Sequence, residues 1–288
     1  MAQLQVQYHR RSRTVPRLGG WVLNCFLILL GLLMLTPFFW ILVNSLIAPN
    51  NALTLPPKWL PIPFTLSNYQ QVFTLLPFGM LALNSLKITL IVTVGGVATS
   101  ALAAYALARL NFPGRAFIFV LFLSALMVPT QVTAIPTFVL IRLLGLLDTH
   151  EAVYLPALIN VLGIFLLRQF FLTIPKDLED AARLDGASYF RIMVQIILPL
   201  ARPALASLAI YIFQATWNDF YWPNLFLSTP SKMTLPVGLV ALQGSYSGGA
   251  PPTVIFASIS MVLVPILLLF VFAQRSITES IASTGLKG

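Results

Sequence analysis

Charged side chains are scarce in this sequence of 288 residues. Lys, Arg, Asp and Glu make up 9% of the chain, whereas a soluble globular protein carries about 25%. Hydrophobic residues make up 58%, and the mean hydropathy is +0.88. A chain with so little charge cannot cover its apolar surface in water. We therefore expect helices that are apolar on all sides and lie in lipid.

Cysteine and histidine are also rare, which excludes two further classes of site. Cys25 is the sole cysteine and lies within an apolar run, so no intramolecular disulfide can form. His9 and His150 are far apart and lack partners at ligand spacing, so the sequence predicts no metal site. The phosphate-binding pattern G-x-x-x-x-G-K-[ST] and any nucleophile–base arrangement are missing as well. We expect a chain that is not an enzyme and holds no cofactor of its own.

Six apolar segments are long enough to cross a bilayer, which takes about 20 residues. The predicted fold class is therefore all-α, a polytopic membrane protein with six transmembrane helices. Pro129 and Pro136 should kink the third span. The first run has 27 residues, more than the hydrophobic core of a signal peptide, and is predicted to be a span. The six segments are approximately residues 21–47, 81–110, 115–143, 152–171, 197–222 and 254–273.

The 17 Lys and Arg residues predict how the chain lies in the membrane. They give a net charge of +9 but fall between the apolar runs, which argues against a nucleic-acid surface. Basic residues are retained on the cytoplasmic side, and a cytoplasmic N-terminus places 13 of the 17 there. Both termini are then cytoplasmic. The predicted units are a basic arm 1–20, the first span 21–47, an external loop 48–79 expected to be non-helical, a five-helix core 80–274, and a tail 275–288.

The longest charged segment, residues 175–203, holds four of the eight acidic side chains within nine positions. An ionised group in hydrocarbon costs about 3 kcal/mol, so this segment should lie outside the membrane. Pro175 suits a first helical turn, Gly186 a left-handed stop, and Ser188 the cap of a second helix over 189–198. We expect two short helices, forming either a surface connector or a docking element for a soluble partner. One face of the first should combine Leu178, Ala181, Ala182 and Asp185.

The same segment carries a recognisable spacing. Asp180-Ala181-Ala182, followed by Gly186, Ile196 and Leu198-Pro199, resembles the EAA motif of the transmembrane subunits of ATP-binding-cassette (ABC) importers. One departure is Asp180, where the motif usually has Glu. The shorter arm is expected to shift a salt bridge without abolishing docking. The flanks of the motif resemble the carbohydrate, maltose-permease-like branch of this family. So do three further stretches, Asn84-Ser85, Trp217-Asn218-Asp219 and Thr234 to Leu239.

The resemblance implies a type I ABC importer permease fold in a bacterial or archaeal cytoplasmic membrane. The segment would be a cytoplasmic coupling helix between the fourth and fifth spans. Implied partners are a second permease subunit, two copies of an ATPase that bind ATP and Mg, and an extracytoplasmic sugar-binding protein. The residues implied in ATPase coupling are Glu179, Asp180, Ala181, Ala182, Asp185, Gly186, Ile196, Leu198 and Pro199.

Polar residues at helical spacing mark candidate substrate contacts. Uncharged hydroxyl, amide and aromatic groups suit a sugar, although small polar residues also mediate helix packing in membranes. The candidates on the fifth span are Ser207, Tyr211, Gln214, Trp217 and Asn218. Weaker stripes lie on the second span (Ser85, Thr89, Thr93, Gly96, Ser100) and the third (Thr130, Thr133, Thr137). The candidates for contact with the binding protein lie in the last external loop and are Gly244, Ser245, Tyr246 and Gly248. The alternative is that this loop is a disordered surface segment with no partner.

The expected function is that of a permease subunit importing a mono- or oligosaccharide. Import of a polyol or glycerol phosphate is the open alternative within the family, although a phosphorylated substrate favours Arg or Lys along the path. Ion-coupled secondary transport is a less favoured alternative, because no span has an acid near its midplane and no inverted repeat is visible.

Overall fold

The structure is a computed structural model that describes residues 17–49, 59–244 and 250–285, with side chains described for 20–49, 59–244 and 250–271. Within these ranges all regular secondary structure is helical, apart from one isolated β-bridge that joins Ile47 to Phe64. The prediction of an all-α chain is thus confirmed for the described part.

Fourteen α-helices, a π-helical turn and a 3₁₀ turn follow one another in the described ranges. They are α1 Arg17–Ser45, α2 Ser67–Leu75, α3 Phe78–Arg109, α4 Arg115–Leu126, α5 Ala134–Leu143, α6 His150–Ala157, α7 Val161–Thr173, α8 Asp177–Leu184, α9 Tyr189–Ile192, the π-helix Met193–Ile197, α10 Leu198–Leu200, α11 Arg202–Trp217, α12 Tyr221–Phe226, the 3₁₀ turn Pro230–Lys232, α13 Leu235–Gly244 and α14 Pro252–Gly285.

Four segments in the described ranges are long and apolar enough to cross a membrane unaided. They match the predicted first, second, fourth and sixth spans to within a few residues. α14 continues to Gly285, past the predicted start of the tail at residue 275. The four segments are Gly20–Ser45, Phe78–Arg109, His150–Thr173 and Pro252–Val271.

The predicted third span is interrupted. Its halves are α4 and α5, separated by residues 127–133, and each is a short apolar helix. Pro129 lies in this break, whereas Pro136 lies in the first turn of α5, where proline is tolerated. The expectation that both prolines kink one helix is therefore correct only for Pro129.

The predicted fifth span begins later and ends earlier than expected. Residues 189–200 and α11 form a pair bent by 80°, so the straight apolar helix starts at Arg202 rather than near residue 197. Pro203 has no N–H to donate to the carbonyl of Pro199, which removes a helical bond near this corner. At the other end α11 stops at Trp217, and Asp219 caps a separate short helix, α12. Counting the bent pair as one span gives up to five spans in the described ranges.

The connection predicted to be non-helical contains a helix. α2 lies between Pro63 and Pro77, and Asn68 at its start is fully buried. The amide of Asn68 donates to the carbonyls of Ser45 and Ile47, each at 2.8 Å, so the end of α1 is held against α2. The proline-rich composition concealed this element, because prolines flank α2 without interrupting it.

The buried core is centred on α3, which α7 and α11 contact along much of its length. Gly163 of α7 makes the closest approach: a Cβ there would lie 2.6 Å from the Ser100 hydroxyl and 3.0 Å from Leu208. Helix α1 packs on α14, where the rings of Trp40 and Phe256 meet edge to face at 5.2 Å. The remaining faces of α1 expose apolar side chains, as expected of a helix in contact with lipid.

Candidate functional site at the charged loop

The charged segment folds into the two short helices predicted for it. α8 carries Asp177, Glu179 and Asp180 in its first turn, where the helix dipole favours acidic groups. Gly186 adopts φ +80°, the left-handed conformation that ends the helix. Ser188 accepts the backbone N–H of Arg191 and caps the next helix. That helix runs through a π-helical turn rather than a regular α-helix, so its predicted end at residue 198 is displaced to Leu200.

Glu179 points into the protein rather than outward. Its side chain is 3% exposed, and its Oε1 lies 2.9 Å from Nε of Arg109, which is equally buried at the end of α3. Nη2 of Arg109 donates to the carbonyls of Phe171 at 2.5 Å and Ile174 at 2.6 Å, at the end of α7. One guanidinium therefore ties α3, α7 and α8 together. A buried ion pair requires such additional hydrogen bonds to offset desolvation.

The outward face of α8 differs in one residue from the predicted face. Leu178, Ala181 and Asp185 are exposed as expected, but Ala182 is half-buried and packs against the core beside Glu179. Leu184 is 91% exposed at the end of the helix. Leu184 and Leu178 thus add exposed apolar groups to a face that also carries Asp185.

Asp180 lies on the exposed surface, not in the buried pair. Its carboxylate is 3.7 Å from Arg183, which also approaches Glu179 at 3.8 Å and lies 4.9 Å above the ring of Tyr189. Beside these residues a cavity of about 330 Å³ opens between α8 and the end of α3, lined also by Arg115 and Lys176. The shorter arm of Asp180 therefore leaves the internal anchor unchanged.

The other residues assigned to coupling play an internal role. Ile196, Leu198 and Pro199 are half-buried, and Ile192 and Ile197 beside them are completely buried. They pack the second short helix onto the core. The exposed residues among those assigned to coupling are therefore Asp180, Ala181, Asp185 and Gly186, whereas the others are buried or half-buried.

Sequence reasoning missed Arg109, which it used only to orient the chain. The available signal was an arginine at the end of an apolar helix, together with the spacing of Glu179 and Ala182 on one side of α8. The spacing alone does not show which side of a charged helix is buried.

The predicted substrate-path residues separate into two faces of α11. Tyr211, Gln214 and Asn218 are exposed on one face, and Ser207 continues this row but donates its hydroxyl to Pro203. Trp217 is 3% exposed on the opposite side, and its indole N–H donates to Val262 of α14 at 3.3 Å. Trp217 therefore holds two helices together and does not share the exposed face.

The weaker stripe on the second span lies in contacts between helices. Ser100 of this stripe donates to the carbonyl of Asn160 at 3.3 Å, and its neighbour Thr99, which is not part of the stripe, donates to that of Leu158 at 2.5 Å. Both carbonyls lie in the break between α6 and α7. A Cβ added to Gly96 would lie 3.2 Å from the side chain of Ile212 on α11. This geometry matches the packing interpretation.

The opposite end of the molecule contains a hydrogen-bonded polar cluster around Asp148. Its carboxylate accepts the N–H groups of Ser228 and Thr229 at 2.9 Å, the hydroxyl of Thr229 at 2.6 Å, and the ammonium of Lys232 at 3.0 Å. The hydroxyl and backbone N–H of Thr229 are the main causes that hold the pKa of Asp148 well below its ordinary value. His150 binds the carbonyl of Lys232 at 2.9 Å.

Of the residues predicted to contact a binding protein, Gly244 ends α13 in open space. Ser245, Tyr246 and Gly248 lie outside the described residues. Among the described residues, no group of three or more His, Cys, Asp or Glu side chains is arranged to hold a metal ion.

These features define an all-helical, multi-span membrane protein with a charged loop anchored to its spans. The chain belongs to the family of binding-protein-dependent transport system inner membrane components, which it matches over residues 96–281, more than half its length. The recognition made from the EAA spacing is confirmed.

Two curated relatives and one solved structure illustrate the similarity. The chain is 38% identical over 233 residues, 79% of this chain and 81% of the relative, to the arabinooligosaccharides transport system permease protein AraQ of Halalkalibacterium halodurans. It is 35% identical over 199 residues, 69% of this chain and 71% of the relative, to the sn-glycerol-3-phosphate transport system permease protein UgpE of Pectobacterium atrosepticum. A chain in the crystal structure of a bacterial ABC transporter involved in import of the acidic polysaccharide alginate superimposes with a TM-score of 0.79, at 27% identity, covering 90% of this chain and 96% of that one.

Proposed function

We propose that this chain is the membrane-spanning permease subunit of an ATP-driven importer for a sugar. The observation that carries the proposal is the family match over residues 96–281, which includes the whole charged loop. The name of the AraQ relative, an arabinooligosaccharide permease, supports a carbohydrate substrate. The name of the UgpE relative supports glycerol phosphate as the second candidate. Family membership leaves ion-coupled transport without support.

In this proposal α8 is the coupling helix. Its exposed face, with Leu178, Leu184 and Asp185, would seat in a cleft of a cytoplasmic ATPase. The buried pair of Arg109 and Glu179 would transmit the movement of α8 to α3 and α7. ATP would be hydrolysed by that separate subunit, present in two copies, while this chain performs no chemistry.

The proposed topology has six spans with both termini and α8 in the cytoplasm. The broken pair α4 and α5 counts as the third span, and the bent pair ending in α11 as the fifth. The support for this orientation is the distribution of Lys and Arg, 13 of 17 on one side. The polar row Tyr211, Gln214 and Asn218 would then face a second, dissimilar permease subunit across the transport path. The Asp148 cluster would face the extracytoplasmic binding protein.

Two glycines provide a matched test of the coupling role. Gly186 and Gly114 adopt φ +80° and +81°, and neither would bring a Cβ within 4 Å of another group. Valine at either position costs about 1–2 kcal/mol of local strain, so the two variants are equally stressed. Of the two, only Gly186 adjoins α8, directly after its exposed end at Leu184 and Asp185.

The experiment purifies each tagged variant in mild detergent and measures the co-purifying ATPase and uptake in cells. We expect Gly186→Val to lose both, while Gly114→Val keeps both close to the unmodified chain. Equal ATPase recovery and uptake in both variants would contradict the proposed docking. A purified wild-type chain that brings no ATPase would contradict the function itself.

A further inference from the structure

Three helix breaks meet at one cavity on the side of the bundle away from α8. The cavity has a volume of about 370 Å³ and is lined by residues of the α4–α5, α6–α7 and α11–α12 breaks. Non-helical backbone at membrane depth is tolerated where it is buried in protein or lines a water-filled space. The three breaks therefore bring polar side chains, Thr130, Asn160 and Asp219, to a space whose lining is otherwise largely apolar.

The lining is hydroxylated on one wall. Thr130, Thr133 and Thr137 supply three hydroxyls, and those of Thr133 and Thr137 donate to the carbonyls of Thr130 and Thr133 of their own segment. Because each of these two hydroxyls donates its hydrogen bond to the backbone, its oxygen remains free to accept a hydrogen bond from a donor in the cavity. The hydroxylated wall thus favours a ligand rich in O–H groups.

The facing wall combines an aromatic ring with an acid. Trp222 lines the cavity and stacks on Phe226 with 5.6 Å between ring centroids, which fixes its orientation. Asp219 lines the same wall and accepts the N–H groups of Tyr221 and Trp222 at 3.0 and 3.4 Å. Among the described lining residues Asp219 is the sole charged one, and no Lys or Arg is present.

We infer that this cavity is a solute site of this subunit that accepts one unit of an uncharged, hydroxylated ligand and disfavours anions. Its volume lies within the range of about 300–1,000 Å³ typical of small-molecule sites. An aromatic face, oxygen acceptors and the absence of cationic side chains from the described lining suit a neutral sugar ring. A phosphate or carboxylate would meet the Asp219 carboxylate without a compensating cation. The inference rests on the proposed function and narrows its substrate class to neutral sugars.

The single cysteine makes the site testable by thiol labelling. Cys25 lies exposed on α1, away from the cavity, so Cys25→Ser provides a cysteine-free background. In that background Thr133→Cys probes the cavity, and Val139→Cys, at a half-exposed position of α5 that does not line the cavity, is the control. The full chain is expressed with its partner subunits and labelled in right-side-out membrane vesicles. The probes are the membrane-impermeant reagents MTSET, a cation, and MTSES, an anion.

We expect the thiol of Thr133→Cys to react with both reagents and that of Val139→Cys with neither. Relative to a free thiol, the ratio of cation to anion rates in Thr133→Cys should rise by about tenfold, because an acid in a low-dielectric cleft concentrates cations. Asp219→Asn should return the ratio to that of the free thiol, since the amide oxygen can still cap α12. Absence of labelling in Thr133→Cys, or a ratio that Asp219→Asn leaves unchanged, overturns the site.

Protection from labelling tests the ligand class. Maltotriose and arabinotriose, added as neutral sugars, should slow the reaction of Thr133→Cys by a measurable factor, whereas glycerol 3-phosphate should not. Protection by glycerol 3-phosphate, or by neither neutral sugar, overturns the inference. ATPase co-purification of the same preparations is a separate readout, so the cavity can fail while the importer function stands.

Discussion

The hydroxyl of Ser85 accepts the backbone N–H of Leu235, with 2.8 Å between Oγ and N across 150 residues of sequence. Both residues are buried, at 3% and 2% exposure. Beside them Asn84 donates its amide to the carbonyls of Ser231 and Met233, each at 2.9 Å. Two stretches that separately resemble the carbohydrate branch thus form one joint between α3 and α13.

Removing the Ser85 hydroxyl should loosen this joint. Ser85→Ala leaves the buried N–H of Leu235 without its acceptor, which costs about 1–3 kcal/mol. We expect a lower midpoint of thermal unfolding in detergent, measured by tryptophan fluorescence. The control is Ser124→Ala, because the exposed hydroxyl of Ser124 donates to Leu121 of its own helix. Equal midpoints for the two variants would show that the joint adds no stability.

The buried pair of Arg109 and Glu179 should behave as a coupled unit. Arg109→Met removes the buried cation and leaves the carboxylate of Glu179 with the partly exposed Arg183 at 3.8 Å. Breaking a buried pair in this way costs about 3–5 kcal/mol. The double variant Arg109→Met with Glu179→Leu should be more stable than either single one, because the unpaired charge is removed. Unfolding midpoints of all four proteins give the coupling energy.

ATPase recovery separates the two roles of this pair. The double variant should fold yet recover less ATPase, since α8 has lost its polar tie to α3 and α7. A double variant whose loss of stability equals the sum of the two single losses would contradict the coupling. One that recovers ATPase in full would show that the tie is not needed for docking.

The Asp148 cluster should make stability depend on pH in the acid range. The pKa of Asp148 in the folded protein is held below its ordinary value, so its contribution is fully present above the unfolded pKa of about 3.9. That contribution is lost progressively as the pH falls from the unfolded pKa towards the lower folded pKa and the carboxylate is protonated. The unfolding midpoint, measured across a pH series from neutral into the acid range, should therefore fall.

Asp148→Asn supplies the comparison for this pH series. Its unfolding midpoint should already be lower at neutral pH, and its further decline in acid should be shallower than that of the unmodified chain. Parallel curves for the two proteins would exclude Asp148 as the titrating group.

A side-chain atom added at Gly163 should lower the stability of the protein. Gly163→Ala places a Cβ against Ser100 and Leu208, and overpacking of this kind costs about 1–3 kcal/mol. Gly31→Ala is the control, because Gly31 lies on α1 with nothing within 4 Å. We expect the first variant to unfold at a lower temperature and the second to match the unmodified chain or exceed it. The reverse order would contradict the packing of α3, α7 and α11.

Sequence reasoning succeeded where a local signal decides the structure. The left-handed stop at Gly186 and the cap at Ser188 were predictable because glycine tolerates positive φ and serine binds a free N–H. It failed where long-range contacts decide. The inward rotation of Glu179 and Ala182 depends on Arg109, which lies 70 residues before Glu179 in the chain. The corner before α11 was misplaced because an apolar run does not show where its helix bends.

The sequence by itself determined that this chain is an all-helical membrane protein of a transport family. Low charge forbids a soluble surface, and the EAA spacing is specific. Only the tertiary structure decided which polar side chains act together. Polar groups in lipid must find partners inside the protein, and those partners come from helices distant in sequence. Ser85 meets Leu235, Arg109 meets Glu179, and three helix breaks enclose one cavity, because packing against α3 brings them to the same places.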